Sequence, residues 1–413
     1  QGLSGPVPVE SAPRPTMSDQ SASVSDLLRN PETETVSNLI EQSETIVEPD
    51  FPLLPGENEA LLTDRQQFDY TNRREKFAKW LLREGKDTRD KEGYTQGTAR
   101  RTCYRVAFFE RYVWTKEGQY VPVMTIDHAD EFIERVAYSD FSQSHKHALL
   151  YSMKRYFKWR HHEHDEPEWE PDRHFTVSNT QAPQDYLTKK ERHKIRQAAL
   201  DYGTIPAYKT VKCDPERRER LKPYIAEQAG KPVDQLGVDD WQSYPSWKYT
   251  TIVWSSLDAG FRPMEVGRAR TTWIDEDNAV LRIPKEESTK NEENWEVSIR
   301  DDTHDALLKW LHERDHYPKY DDTDTLWLTN HGNPYNDKAL GRLIRKLCDK
   351  AGIQYENRKM SWYSIRHSVG TYMTREEDLA ATKQQLRHKR AQTTMKYDAA
   401  PAGDRRNALD KMG

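Results

Sequence analysis

The run Asp258-Ala259-Gly260-Phe261-Arg262-Pro263-Met264-Glu265-Val266 places an arginine directly after an Ala-Gly helix end, with a proline set to open the next helix. Glycine supplies the left-handed turn that stops one helix, and proline is pre-organised for the first turn of another. A guanidinium held there sits at a fixed angle between two helices. Alone, it could equally well cap carbonyl groups. It does not stand alone. Ser361-Trp362-Tyr363-Ser364-Ile365-Arg366-His367-Ser368 supplies a second arginine, Leu386-Arg387-His388 a histidine 22 residues later, and Met395-Lys396-Tyr397 a tyrosine nine residues beyond that.

Working outward, the pattern around these motifs is mainly helical. A helix is expected over Trp247–Ala259, then two short alternating runs, Val280–Ile283 and Trp295–Ile299, joined by a charged loop. Further helices follow at about 301–316, 336–351, 364–375, 379–387 and 392–397. Thr188-Lys189-Lys190-Glu191 has capping-box spacing and opens a helix of its own. Upstream, four helices are expected between Asp64 and His162, two of them basic and interleaved with aromatics. The acidic, Pro-containing stretch 166–185 reads as a linker. The domains are therefore a tail over 1–63, a helical domain over 64–165, that linker, and a second domain over 186–413.

The chain has 413 residues, of which 35% are apolar and 32% charged. Residues 1–60 carry eleven acidic side chains against Arg14 and Arg29, a net of −9, so the other 353 residues hold +4 of the overall −5. The acidic segment is poor in aromatics and is expected to be a disordered tail. The mildly basic body is compatible with a nucleic-acid partner. Three widely spaced cysteines exclude a disulfide scaffold and a Cys zinc site, and no window approaches 18 consecutive apolar residues. These features fit a reducing interior, and the chain is read as cytoplasmic and nucleoid-associated. The cluster His161-His162-Glu163-His164-Asp165 has no partner ligands at metal spacing elsewhere, so no metal is expected there. No phosphate-binding glycine loop, G-x-S-x-G or H-E-x-x-H motif is present.

Taken in order, the motifs resemble the phage-integrase family of tyrosine recombinases, most closely its archaeal and archaeal-virus members. Gly260-Phe261-Arg262-Pro263-Met264-Glu265 matches the family's first Arg box. Tyr363-Ser364-Ile365-Arg366-His367 matches the second, and Leu386-Arg387-His388 the Leu-Gly-His motif. Tyr397 stands where the nucleophile does, and Lys290 in Ser288-Thr289-Lys290-Asn291 where the family carries a lysine on a β-hairpin. Lys285, five residues earlier, is a rival for that place. The resemblance implies a mainly α protein, with an N-terminal four-helix (SAM-like) core-binding domain and a mixed α+β catalytic domain holding a small antiparallel sheet. It implies Arg262, Lys290, Tyr363, Arg366, His388 and Tyr397 as catalytic residues. No cofactor is implied. The partner is double-stranded DNA carrying a specific site, engaged by a homotetramer.

These residue types suit attack on a phosphodiester. Negative charge builds on the nonbridging oxygens, and two permanently charged, forked arginines can clamp both. Tyrosine conserves the bond energy in a phosphotyrosine link, so rejoining needs no ATP. Lysine can protonate the departing 5′ oxygen. On the N-terminal helices, Arg100, Arg101, Arg105, Lys146, Arg155 and Lys158 are the candidate DNA contacts. Two departures stand out. Arg387 replaces a glycine, a change expected to alter only a loop. Tyr363 replaces a histidine, and a phenol with a pKa near 10 is a poor base at neutral pH. His367 is expected to buttress Arg366. Two rival readings are a type IB topoisomerase and a catalytically silent DNA-binding protein on the same fold.

Overall fold

The computed structural model describes residues 47–176, 185–211, 214–242, 244–288, 293–398, 406 and 409–412. The chain divides between residues 180 and 181 into two compact units.

The first unit is built on four helices: α1 (Asp64–Arg83), α2 (Gln96–Glu117), α3 (Ile126–Tyr138) and α4 (Gln143–His164). Thr63 and Ser142 stand as N-caps, and Gly118 ends α2 in the left-handed conformation. Their apolar stripes bury Tyr70, Phe77, Phe109, Phe132 and Phe157 in one core. The expected tail over 1–63 lies outside the described residues as far as 46. From 47 to 63 the chain instead packs on the helices, with Phe51, Asn58 and Leu62 all buried. Few anchors suffice here because one is polar and fully satisfied: Asn58 Nδ2 donates to the Tyr70 hydroxyl at 2.8 Å. The expected linker also starts late. Trp169 is buried against Phe157, and its Nε1 donates to Asp130 at 2.8 Å. Residues 177–184 lie outside the described residues.

The second unit is mainly helical with one small sheet. Besides a single turn at Tyr208–Val211, its α-helices among the described residues are α5 (Lys189–Leu200), α6 (Pro215–Ala229), α7 (Trp247–Ala259), α8 (Pro263–Arg268), α9 (Asp301–Arg314), α10 (Asp337–Ala351), α11 (Trp362–Glu376), α12 (Leu379–Gln385) and α13 (Ala391–Thr394). The Thr188 capping box forms: the Thr188 N–H donates to Glu191 Oε2 at 2.8 Å, and the Glu191 N–H to Thr188 Oγ1 at 3.2 Å. Three strands, β1 (Ile274–Asp275), β2 (Val280–Ile283) and β3 (Trp295–Ser298), pair antiparallel in that order. The register sets Leu281 opposite Val297 and Arg282 opposite Glu296. Leu281, Ile283 and Val297 therefore face the core, while Arg282 and Glu296 pair outward at 2.8 Å. Strand β1 is an addition to the two expected, since two residues are too short to show alternation. The unit's core holds Phe261, Trp273, Trp310, Trp327 and Trp362.

Among the described residues, no helix is long and apolar enough to cross a membrane.

Candidate active site

Helix α7 delivers the first arginine as its sequence requires. Gly260 ends the helix with φ +61°, and a Cβ there would stand 2.5 Å from Leu386 Cδ2, so glycine serves both the turn and the close approach of the Leu386 segment. Arg262 then stands as N-cap of α8, with Pro263 as the first helical residue. Three residues on, Glu265 turns back. It accepts the Arg262 backbone N–H at 2.6 Å and Arg262 Nη1 at 2.7 Å.

Glu265 is the hub of the site. Its carboxylate is 3% exposed and also meets Arg387 Nη2 at 2.8 Å, with Arg366 Nη1 at 3.7 Å. Burial alone would raise its pKa, but the charges of Arg387, Arg366 and Arg262 hold it well below the usual carboxylate range. Burial, with repulsion from Arg262 and Arg387, pushes Arg366 down to about 9 against the pull of Glu265. Arg366 remains a cation at neutral pH. It is fixed by donating Nη1 to the Gly260 carbonyl at 2.6 Å and Nη2 to that of Leu386.

Arg387 corrects the sequence reading. It does more than alter a loop: it adopts φ +55°, is buried, and donates to Glu265, to the Ala259 carbonyl at 2.9 Å and to the Gln385 carbonyl at 2.7 Å. Its charge neutralises Glu265, and it ties the Leu386–His388 segment to the end of α7.

Tyr397 closes the arrangement from the turn at Met395–Tyr397. It is 5% exposed, and burial raises its hydroxyl to about 12, against the pull of Arg366 and Arg262. Its ring lies on Gly370 of α11, where a Cβ would stand 2.5 Å from Cζ. His388 stacks parallel to it, 6.2 Å between centroids, and its Nδ1 pairs with Thr394 Oγ1 at 2.8 Å. Burial and then the surrounding cations push His388 down to about 3. Four expected residues, Arg262, Arg366, His388 and Tyr397, thus come together. Tyr363 is a neighbour, but 43% exposed. Lys290 lies outside the described residues. Ser288, two positions before it, lines a cavity of about 400 Å³ together with Arg262, Glu265, Arg387 and His388.

The sequence reading gave His367 only the part of a buttress to Arg366, whereas the structure sets it against Tyr397. Its Nδ1 stands 3.0 Å from the Tyr397 hydroxyl. The signal was available: His367 falls one turn after Tyr363, on the same face of the helix.

Residues 242–402 match the family model described as the phage integrase family. Two solved structures are similar to the chain at 15% identity: XerH site-specific recombinase bound to difH substrate in a pre-cleavage complex (TM-score 0.50, covering 83% of this chain and 88% of that one), and XerH bound to palindromic difH in a post-cleavage complex (TM-score 0.51, covering 84% and 89%). No curated protein matches the chain. The matched segment contains every residue of the site just described.

In the first unit, Arg100 and Arg101 are exposed and Arg105 half-buried on α2. Arg101 and Arg155 lie close enough to Arg105 to lower its pKa, after burial. Lys146 must be withdrawn as a surface contact. It is 6% exposed, and its Nζ donates to the Ala137 carbonyl at 2.7 Å, closing the end of α3. Lys158 is half-buried and donates to the Gly85 carbonyl at 3.3 Å, while Arg155 stacks over Tyr94 and donates to Thr102 at 3.2 Å. In the histidine cluster, His162 Nδ1 meets Glu163 at 2.8 Å, and the nearby Glu84 is paired with Lys91 at 2.5 Å.

Proposed function

We propose that the protein is a site-specific DNA recombinase that cuts and rejoins DNA through a 3′-phosphotyrosine intermediate, with Tyr397 as nucleophile. The observation that carries this reading is that Arg262 and Arg366 meet at one buried carboxylate while His388 stacks on a buried Tyr397 whose hydroxyl feels the charge of both arginines.

The scissile phosphate takes the place between the arginines. Arg262 and Arg366 stabilise the charge that grows on its nonbridging oxygens, work that other enzymes give to metal ions. Glu265 and Arg387 do not touch the phosphate; they set the angle of the two forks. The Tyr397 oxygen attacks phosphorus and the bond to the 5′ oxygen breaks, Lys290 supplying the proton that makes it a leaving group. His388 donates a hydrogen bond to the phosphate. The reverse sequence, with a 5′ hydroxyl from a partner strand, completes strand exchange.

We assign the first unit as a SAM-like core-binding domain, with Arg100, Arg101, Arg105 and Arg155 facing the DNA backbone. Four copies act on two paired sites. On its motifs, the chain falls with archaeal and archaeal-virus integrases, working in the cytoplasm on the nucleoid.

Testing requires two DNA assays side by side. Recombination between two copies of one site, with a defined junction, is the expected result. Relaxation of any supercoiled plasmid without a defined junction would instead make the protein a type IB topoisomerase.

A further inference from the structure

Tyr363 occupies the place of a histidine, and a phenol is a poor proton acceptor beside an imidazole. Its side chain, 43% exposed, leans toward solvent from the first turn of α11. One turn further along the same helix, His367 is 7% exposed, and its Nδ1 lies 3.0 Å from the Tyr397 hydroxyl. The ring planes of Tyr363 and His367 are tilted by only 30°, with centroids 6.1 Å apart. The helix thus places an imidazole against the nucleophile, one turn away from the position that lost one.

Resting on the recombinase reading above, we propose that His367 holds the Tyr397 hydroxyl and takes its proton during strand cleavage, replacing the function absent at residue 363. The step balances simply. The phenolic proton moves to Nδ1 as the Tyr397 oxygen bonds to phosphorus, and the electron pair of the broken P–O bond leaves on the 5′ oxygen, which takes its proton from Lys290. On rejoining, the 5′ hydroxyl returns its proton to Lys290 as its oxygen bonds to phosphorus, and the displaced tyrosine oxygen recovers its proton from His367.

This requires a neutral imidazole with Nδ1 unprotonated. The charged and titratable groups facing His367 are Arg366 on its own helix, Lys396 and Tyr397 from the turn at 395–397, and Tyr363 one turn before it. Burial first, then Lys396 and Arg366, push the imidazole down to about 3, so it is neutral at pH 7. Tyr397, raised to about 12, stays a phenol in the free protein. The transfer is therefore uphill without substrate, which keeps the nucleophile latent. As the oxygen bonds to phosphorus its acidity rises steeply, and a general base needs only to exceed it in the transition state. A bound phosphate beside Arg366 also offsets part of the positive field on His367, moving the imidazole back toward its ordinary range.

Two measurements test this. The first needs no DNA: the long-range nitrogen–proton spectrum of His367 in the full chain is expected to show the Nε2–H tautomer, with Nδ1 as acceptor. An Nδ1–H tautomer would overturn the assignment, whatever the enzyme does. The second is single-turnover cleavage of a nicked suicide substrate as a function of pH. His367→Gln keeps a hydrogen-bonding side chain but no base, and is expected to slow cleavage by about 100-fold with site binding intact, losing the acid-side fall of the wild type. Tyr363→Phe is expected to stay within about tenfold and to keep that fall. Exogenous imidazole is expected to restore cleavage in part to His367→Ala. A His367→Gln enzyme that keeps the wild-type acid limb would refute the proton-acceptor role. Failure of the wild type itself to form a covalent adduct would strike at the recombinase reading, while the tautomer would still decide the hydrogen bond.

Discussion

At residue 387 the chain accepts a left-handed backbone conformation that a non-glycine residue adopts at a cost of about 1 kcal/mol. A glycine would avoid that cost. The arginine is retained because Glu265 is buried among charges, and Arg387 gives it two donated hydrogen bonds, at 2.8 and 3.2 Å. Removing one partner of a buried ion pair costs about 3–5 kcal/mol, which exceeds the relief of backbone strain. Arg387→Gly is therefore expected to lower the stability of the second unit by about 2 kcal/mol or more in urea denaturation. It should also slow cleavage, because Glu265 would then draw Arg262 and Arg366 more tightly to itself. Unchanged or improved stability would show that Glu265 needs no third cation. Gly370 shows the same economy on α11. Its missing side chain costs helix propensity, and the space is filled by the Tyr397 ring.

Among the elements, much was legible in sequence because the signals were local. The Thr188 box, the Gly260 stop and the Pro263 start each depend on a few neighbouring residues, and each forms as read. The two longer strands alternated, whereas β1 was too short to do so. What escaped notice depended on contacts distant in sequence. Arg387 could be understood only once Glu265, 122 residues earlier, was beside it. Lys146 looked like part of a basic face, yet its amine ends on the Ala137 carbonyl. Residues 47–63 looked like a tail by composition, yet Asn58 and Leu62 are buried. The basic stripe of α2 gives a direct contrast. Replacing Arg100, Arg101 and Arg105 together by alanine is expected to weaken DNA binding and to make its salt dependence shallower by about two to three units of log–log slope. Lys146→Ala should leave that slope alone and lower stability instead. A triple variant with an unchanged slope would remove α2 from the DNA interface.

Over the whole molecule, the buried cationic site links catalysis to acid stability. His388 is pushed down to about 3 when folded, whereas an unfolded histidine titrates near 6.5. Between those values the unfolded chain binds a proton that the folded chain refuses, so this group makes stability fall as pH falls from about 6.5 toward 3. Glu265, held below the usual carboxylate range, acts in the same direction below about pH 4.5. Glu313, which burial raises, acts in the opposite one. A difference between variants isolates the histidine: His388→Gln is expected to flatten the stability–pH slope between pH 6 and 4 by about 1.4 kcal/mol per pH unit. An unaltered slope would mean that His388 is not buried as described. The central claim is that this arrangement drives Tyr397 onto a DNA phosphate. Its most direct test is to trap the full chain on a nicked suicide substrate, digest the adduct and map the peptide that carries the DNA. The account predicts a 3′-phosphate link at Tyr397, lost in Tyr397→Phe with site binding unchanged; an adduct on any other residue, or one that persists in Tyr397→Phe, would contradict it.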